Sequence, residues 1–359
     1  MTQPLAIDGS HGEGGGQILR TALSLSAITS RAIRIEKIRA KRPKPGLAAQ
    51  HLTAVRAVAA LCNARVAGDE LDSVALDFAP GAPVRSGAYS FDVAAAREGG
   101  SAGATSLVLQ AVFLPLALCQ GDSRVSIRGG THMAWSPPFD YLRDVWLKAL
   151  APIGIKAQVE LGAWGWFPVG RGEIHAEIAG LGTKGRPRLM PVALLDRGPL
   201  LRISGRAVAA NLPGHIAQRM ADQARSLLQE RGIETRIIAE SARAACPGAG
   251  IFLTAEYENV RGGFSALGRR GKPSEQVAEE AVDLLLAHRG SGAALDLHLA
   301  DQIVLPLAFA AGPSRLSVER LTCHLETNAW VVEHFGVARI VYEEGETGTG
   351  QVTVNPCAS

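Results

Sequence analysis

His324 is the side chain best suited to covalent chemistry in this sequence, because it stands in Leu321-Thr-Cys-His-Leu-Glu-Thr-Asn328 between a strand pattern and a helix pattern. Ser314-Arg-Leu-Ser-Val-Glu-Arg-Leu321 alternates as a strand does, and Asn328-Ala-Trp-Val-Val-Glu-His-Phe335 carries apolar residues at helical spacing. A side chain at such a joint is held by two rigid elements and stays open on one side. A neutral imidazole nitrogen can attack phosphorus without first losing a proton, and the phosphoramidate it forms can pass a nucleotidyl group on. A lone histidine is more often structural, so this assignment depends on its neighbours. A lysine nucleophile of the ligase type would need Lys-x-Asp-Gly, and Asp8-Gly9 has Ala6 in the lysine's place.

Three further stretches suit phosphates. Gly9-Ser-His-Gly-Glu-Gly-Gly-Gly16 runs into an apolar helix at Gln17, so free backbone N–H groups and the helix dipole would face an anion there. It is not a Walker loop, for no Lys-Ser/Thr follows it, and Gln17 stands where a GxGxxG motif requires glycine. Glu13 within it offers one carboxylate for a divalent metal. Between Arg31 and Lys44 lie seven basic residues against one acid, and Pro43, Pro45 and Gly46 would stiffen that loop around a phosphate. The third stretch is Gly129-Gly-Thr-His-Met-Ala-Trp-Ser-Pro-Pro138.

The elements that must position these loops repeat. Apolar helices are predicted at 17–28, 104–118 and 299–309, each with a glutamine near its start (Gln17, Gln110, Gln302). A strand follows 16 residues after the first glutamine (Ile33), 15 after the second (Val125) and 14 after the third (Leu316). In each copy a loop and a second helix come next, which implies a triplicated α/β unit whose loops converge on one face. Strands are also predicted at 155–160 and 172–178, and 338–342 with 350–354 would close the core as a hairpin. Gly180-Leu-Gly-Thr-Lys-Gly-Arg-Pro187 reads as a boundary. The expected organisation is a core of 1–185 and 276–359 with a small α/β domain inserted at 186–275, the helix from Ser274 to Arg289 returning to the core.

At 359 residues the chain exceeds the usual ceiling for one hydrophobic core. Its 47% hydrophobic and 20% charged residues are those of a globular protein, and a net charge of +3 confines any nucleic-acid affinity to local patches. Five scattered cysteines without a CxxC pair suggest reduced thiols in the cytoplasm. The N-terminus lacks the pattern of a signal peptide, and the apolar windows 107–119 and 303–311 are too short to cross a bilayer.

Taken in order, these motifs resemble the RNA 3'-terminal phosphate cyclase family across essentially the whole chain. The resemblance is carried by Asp8-Gly-Ser-His-Gly-Glu-Gly-Gly-Gly-Gln-Ile-Leu-Arg20, Arg39-Ala-Lys-Arg-Pro-Lys-Pro-Gly-Leu-Ala-Ala-Gln-His-Leu52, Leu107-Val-Leu-Gln110, Leu299-Ala-Asp-Gln302 and His324-Leu-Glu-Thr-Asn328. It implies repeated α/β units like the C-terminal domain of a bacterial translation initiation factor, plus an inserted domain. It also implies ATP-dependent formation of a 2',3'-cyclic phosphate on RNA with a 3'-terminal phosphate, through a histidine-AMP at His324. By position, Glu13 would hold Mg²⁺ or Mn²⁺, and Arg20, Arg39, Arg42 and Gln50 would bind ATP or RNA phosphates. Gln110, Pro137, His298, Leu299, Ala300, Asp301 and Gln302 would form the ATP pocket. No membrane is implied, and a homodimer is left open. Two positions depart from the family pattern: His298 replaces a tyrosine against which adenine stacks, and Arg171 replaces a glycine, which predicts a rearranged turn. Competing readings are a non-catalytic ribosome-assembly relative, an enolpyruvyl transferase built from related repeats, and a simple RNA-binding module, the last disfavoured by 5% aromatics.

Overall fold

In the computed structural model residues 3–98, 100–182, 189–345 and 348–357 are described, so most of the expected boundary at 180–187 lies outside the described residues. The first unit comprises β1 (Leu5–Asp8), α1 (Gly16–Thr29), β2 (Ile33–Glu36), α2 (Ala49–Cys62), β3 (Arg65–Ala67) and β4 (Leu76–Ala79). The second comprises β5 (Ala88–Asp92), α3 (Thr105–Leu118) and β6 (Ser123–Gly129). It continues through α4 (Phe139–Tyr141), a π-helical turn (Leu142–Trp146) and α5 (Leu147–Leu150) to β7 (Ala157–Ala163) and β8 (Gly172–Ile178). After β9 (Ala193–Leu194) the chain enters a separate sheet made of β10 (Leu200–Ala210), α6 (His215–Gln229), β11 (Thr235–Ala242), β12 (Gly248–Tyr257) and β13 (Arg261–Leu267). Then follow α7 (Ser274–Ser291), α8 (Leu299–Leu307), β14 (Ser314–Val318), α9 (Cys323–His334), β15 (Ala338–Glu344) and β16 (Gly350–Pro356).

The chain is thus α/β, and among the described residues its strands form four-stranded sheets of two kinds. Three share one order, β1-β2-β4-β3, β5-β6-β8-β7 and β9-β14-β16-β15. In each the first two strands run parallel and the next two neighbours pair antiparallel. The fourth has the order β11-β10-β12-β13, which places its first strand inside the sheet instead of at the edge.

α1, α3 and α8 supply much of the main core through Ile18, Leu19, Leu23, Val108, Val112, Ile303 and Val304. α3 is apolar almost all round and accordingly buried almost all round. Each fully buried leucine or isoleucine contributes about 1.5–3 kcal/mol, so these helices are fixed by packing more than by propensity. Two hydroxyls carried into this core on α1 are partnered: Thr21 Oγ1 donates to Asn328 Oδ1 at 2.6 Å, and Ser24 Oγ to the Ala111 carbonyl at 2.7 Å.

One expected placement is corrected. The helix from Ser274 does not return to the repeated core, because Val277, Ala278, Ala281, Val282 and Leu285 pack with Ile203, Met220, Ala224, Ile251 and Leu253 in a second core. Their spacing builds one apolar stripe, and the stripe matches α6 and the face of β12 and β13.

Candidate active site

α9 sets the position of His324. Thr322 caps the helix, its Oγ1 accepting the Leu325 N–H at 3.1 Å, so the helix begins at Cys323. The sequence pattern placed the helix start near Asn328 and His324 in the preceding loop; His324 instead lies in the first turn. A Thr-x-x-Leu start without a partner at the third helical position hides a cap that the apolar periodicity alone does not mark.

The glycine turn faces this helix end. Thr327 Oγ1 accepts the Glu13 N–H at 3.2 Å and donates to the Cys323 carbonyl at 2.5 Å, which ties the turn to α9. A β-carbon at Gly12 would stand 2.1 Å from Thr327 Oγ1, so only glycine permits this approach. Glu13 Oε2 then lies 3.2 Å from His324 Nε2 and 2.8 Å from an Arg42 Nη, with the Glu13 carboxylate 11% exposed and His324 about half exposed. Lys41 Nζ donates to the Gly12 carbonyl at 2.7 Å. Imidazole, carboxylate and guanidinium therefore form one line at the N-terminus of α1, where no side chain caps the free N–H groups.

Burial holds the His324 pKa below its ordinary value; Glu13 opposes that shift, while Arg20, Arg42 and His298 reinforce it. The ring is neutral at neutral pH, the state a nucleophile needs. Behind it, Arg20, Arg39 and Arg42 surround the buried His51, whose pKa is driven well below ordinary by desolvation first and then by those three charges. Burial also brings Arg20 down to about 10. Three cations this close, with one carboxylate among them, leave room for polyanionic charge.

A family model described as RNA 3'-terminal phosphate cyclase matches residues 11–341. The chain belongs to the RNA 3'-terminal phosphate cyclase family. It is 59% identical to the RNA 3'-terminal phosphate cyclase of Methylococcus capsulatus over 98% of this chain and 96% of that one. It is 52% identical to the Nostoc punctiforme protein of the same name, over 95% and 97% of the two chains, and 41% identical to that of Archaeoglobus fulgidus, over 95% and 98%. Among solved structures, the enolpyruvyl transferase NikO of Streptomyces tendae aligns with a TM-score of 0.21 at 12% identity, covering 99% of this chain and 82% of that one, a likeness too weak to carry an argument.

The residues matched to the cyclase pattern fall into two groups. Gln110, Asp301 and Gln302 line a small cavity of about 40 Å³ with Gln17, Arg20 and Asn328. There Gln110 Nε2 donates to Gln302 Oε1 at 2.6 Å, Gln17 Oε1 accepts from Arg20 at 2.5 Å, and Asn328 Nδ2 donates to the Asp301 carbonyl at 2.5 Å. The three glutamines of the repeated helices thus meet at one place. His298 stands exposed at the N-cap position of α8 without a side-chain cap bond, Asp296 Oδ1 accepting the His298 and Leu299 N–H groups instead, and the His298 carbonyl accepts Gln302 Nε2 at 2.7 Å. Leu299 and Ala300 are 1% and 4% exposed and pack into the main core behind the cavity. Pro137 lies on the 129–138 loop and is not in the cavity wall. In the basic loop, Arg39 Nη1 donates to the Gly46 carbonyl at 2.7 Å, and Gln50 Oε1 accepts the Ala104 N–H at 2.9 Å, so both brace loops of the site. Arg171 takes φ +54°, the left-handed region open to a non-glycine residue at a cost of roughly 1–2 kcal/mol.

Asp301 is the residue whose state the sequence did not disclose. Its Oδ1 is buried without a partner, and burial, reinforced by Asp296, pushes its pKa up to about 8 against the pull of Arg20. The folded chain therefore keeps a proton that the unfolded chain releases from the ordinary carboxylate range upward, and stability falls as pH rises through that window to about 8. Asp301→Asn removes the titration. In urea melts the variant is expected to match wild type near pH 4 and to exceed it by roughly 3 kcal/mol at pH 8. Parallel pH profiles for the two proteins would place the Asp301 carboxyl in an ordinary environment.

Proposed function

We propose that this chain converts an RNA 3'-terminal phosphate to a 2',3'-cyclic phosphate in an ATP-dependent reaction through His324. The observation that carries this reading is the neutral imidazole beside Glu13 at the open end of the Arg20, Arg39 and Arg42 cluster. In the first step His324 attacks the α-phosphorus of ATP, a P–N bond forms, and pyrophosphate leaves against the guanidinium groups. The RNA 3'-phosphate oxygen then attacks the same phosphorus, and the imidazole departs with its lone pair. Finally the 2'-OH attacks the 3'-phosphorus, AMP leaves, and the hydroxyl proton passes to solvent. Adenylylation is needed because a phosphate monoester oxygen is a poor leaving group and AMP is a good one.

Gln110, Asp301 and Gln302 would hold the nucleotide with the buried Leu299 and Ala300 behind them, and Pro137 and the exposed His298 would border it. A protonated Asp301 can donate a hydrogen bond into that pocket while its other oxygen accepts one. Gln50 would help bind phosphate through its remaining N–H groups. Among the described residues no three His, Cys, Asp or Glu side chains form a ready metal site, and the single carboxylate of Glu13 suits a hard cation such as Mg²⁺ or Mn²⁺ that arrives with the nucleotide phosphates. That cation would neutralise phosphate charge next to Glu13.

The shared order of three sheets supports a triplicated unit like that of a bacterial translation initiation factor, with the fourth sheet as an inserted domain. The packing of α7 extends that insert beyond residue 275 to the end of the helix. No helix among the described residues is long and apolar enough to cross a membrane, and the buried free thiols of Cys62, Cys119 and Cys246 support work in the reducing cytoplasm.

The test uses a 3'-phosphorylated oligoribonucleotide, ATP and Mg²⁺ or Mn²⁺. The expected product resists phosphatase and yields a mixture of 2'- and 3'-phosphates after acid opening, with one AMP released per cycle. A terminal phosphate that stays fully open to phosphatase under both metals would refute the activity.

A further inference from the structure

Trp135 is completely exposed, whereas Trp146 and Trp166 are each 3% exposed, and Trp135 also takes a strained φ of +63°. Phe167 is 74% exposed on the neighbouring 164–171 stretch, which ends in the exposed Arg171. An aromatic ring held fully in water at a backbone cost has no account in packing.

The two loops that carry these rings are locked together from beneath. The N–H groups of Thr131 and His132 both donate to the Gly165 carbonyl, at 2.9 and 3.1 Å, and Gly165 N–H donates to Thr131 Oγ1 at 2.9 Å. His132 is buried against the rings of Trp164 and Trp166, with centroids 4.5 and 5.0 Å away. Its Nε2 lies 3.0 Å from Asp140 Oδ2, and Asp140 Oδ1 accepts Arg206 Nε at 2.7 Å. The Gly170 N–H closes the turn beneath Phe167 by donating to the Trp166 carbonyl at 2.7 Å. The exposed rings therefore stand on a fixed base.

That base adjoins the phosphate site. Gly130 exchanges backbone hydrogen bonds with Gly103 and Thr105, both at 2.9 Å, and the Ala104 N–H between them donates to Gln50. Gln50 directly precedes His51, the residue ringed by Arg20, Arg39 and Arg42. We propose that Trp135 and Phe167 form a stacking platform for the unpaired nucleobases at the 3' end of the RNA substrate. The inference rests on the RNA-directed function above and names the part of the chain that holds the RNA. Every base has a π-face, so two separate rings beside positive charge suit single-stranded RNA whatever its sequence. A protein partner would want a broad contiguous apolar patch, whereas here the large exposed apolar side chains are Trp135 on one loop and Phe167 with Val169 on the other.

The test is the affinity of the full chain for a fluorescent single-stranded oligoribonucleotide with a 3'-phosphate, read by anisotropy without ATP. Trp135→Ala and Phe167→Ala are each expected to weaken binding about tenfold, and Trp135→Phe to retain most of it. An oligonucleotide abasic at its last positions should bind wild type as weakly as the normal one binds the alanine variants. Unchanged affinity in both alanine variants would overturn the platform and leave the rings to another occupant, such as a protein. Because binding is read without ATP, failure to cyclise RNA shows in the phosphatase assay and not here.

Discussion

Replacing His324 by alanine is expected to abolish covalent labelling by α-labelled ATP and to lower cyclisation by at least about a thousandfold, the scale on which enzymes lose rate with their nucleophile. The label on wild type should be acid-labile and base-stable, as a phosphoramidate is. The variant should fold, because the helix start is held by the Thr322 cap and the Thr327 contacts and not by the imidazole. The pH profile adds a second readout. Burial lowers the His324 pKa, so the neutral ring already dominates below the ordinary histidine midpoint. Labelling of wild type should rise from acid pH, level off before pH 7 and stay flat through neutrality. Undiminished label in His324→Ala would remove this residue from the chemistry, and a midpoint above the ordinary histidine value would show that the ring is not desolvated.

The sequence disclosed the loops of this site better than their joints. Apolar helices with glutamines at like positions identified α1, α3 and α8, because burial imposes a period that composition records. β3, β5 and β9 were missed because they are short edge strands whose residues are half-buried or exposed, and such strands carry little alternation. β13 was missed because Gly262-Gly263 interrupts its pattern where the backbone passes Tyr141; a β-carbon at Gly263 would meet that ring at 2.5 Å. The start of α9 was misplaced because one threonine cap outweighs apolar spacing over a single turn. Asp301 was legible as a motif residue, but its retained proton was not, since that depends first on its complete burial in the folded chain, with Asp296 reinforcing it and Arg20 opposing it. The sequence also shows seven cations in the basic region, but it does not show that Arg39 is committed to Gly46 while Arg42 reaches Glu13.

Glu13→Ala is expected to cost enzyme–AMP formation about a hundredfold, because one carboxylate serves three neighbours. It faces the His324 ring, it pairs with Arg42, and it offers the single acidic oxygen pair at the mouth of the glycine turn. Arg42→Ala removes only one of three guanidinium groups and should cost closer to tenfold, with little change in the melting temperature, since the Arg42 side chain is 42% exposed and water can replace it beside Glu13. Glu13→Gln separates the roles. It can still accept a hydrogen bond from the ring but no longer attracts a proton to it, and Glu13 is the group that raises the His324 pKa against burial. The acid limb of the labelling profile should therefore move to lower pH in Glu13→Gln, while the plateau falls through the lost cation contact and recovers partly at high Mn²⁺. A lowered plateau with an unmoved acid limb would confine Glu13 to phosphate and metal. A moved limb with an undiminished plateau would confine it to the imidazole.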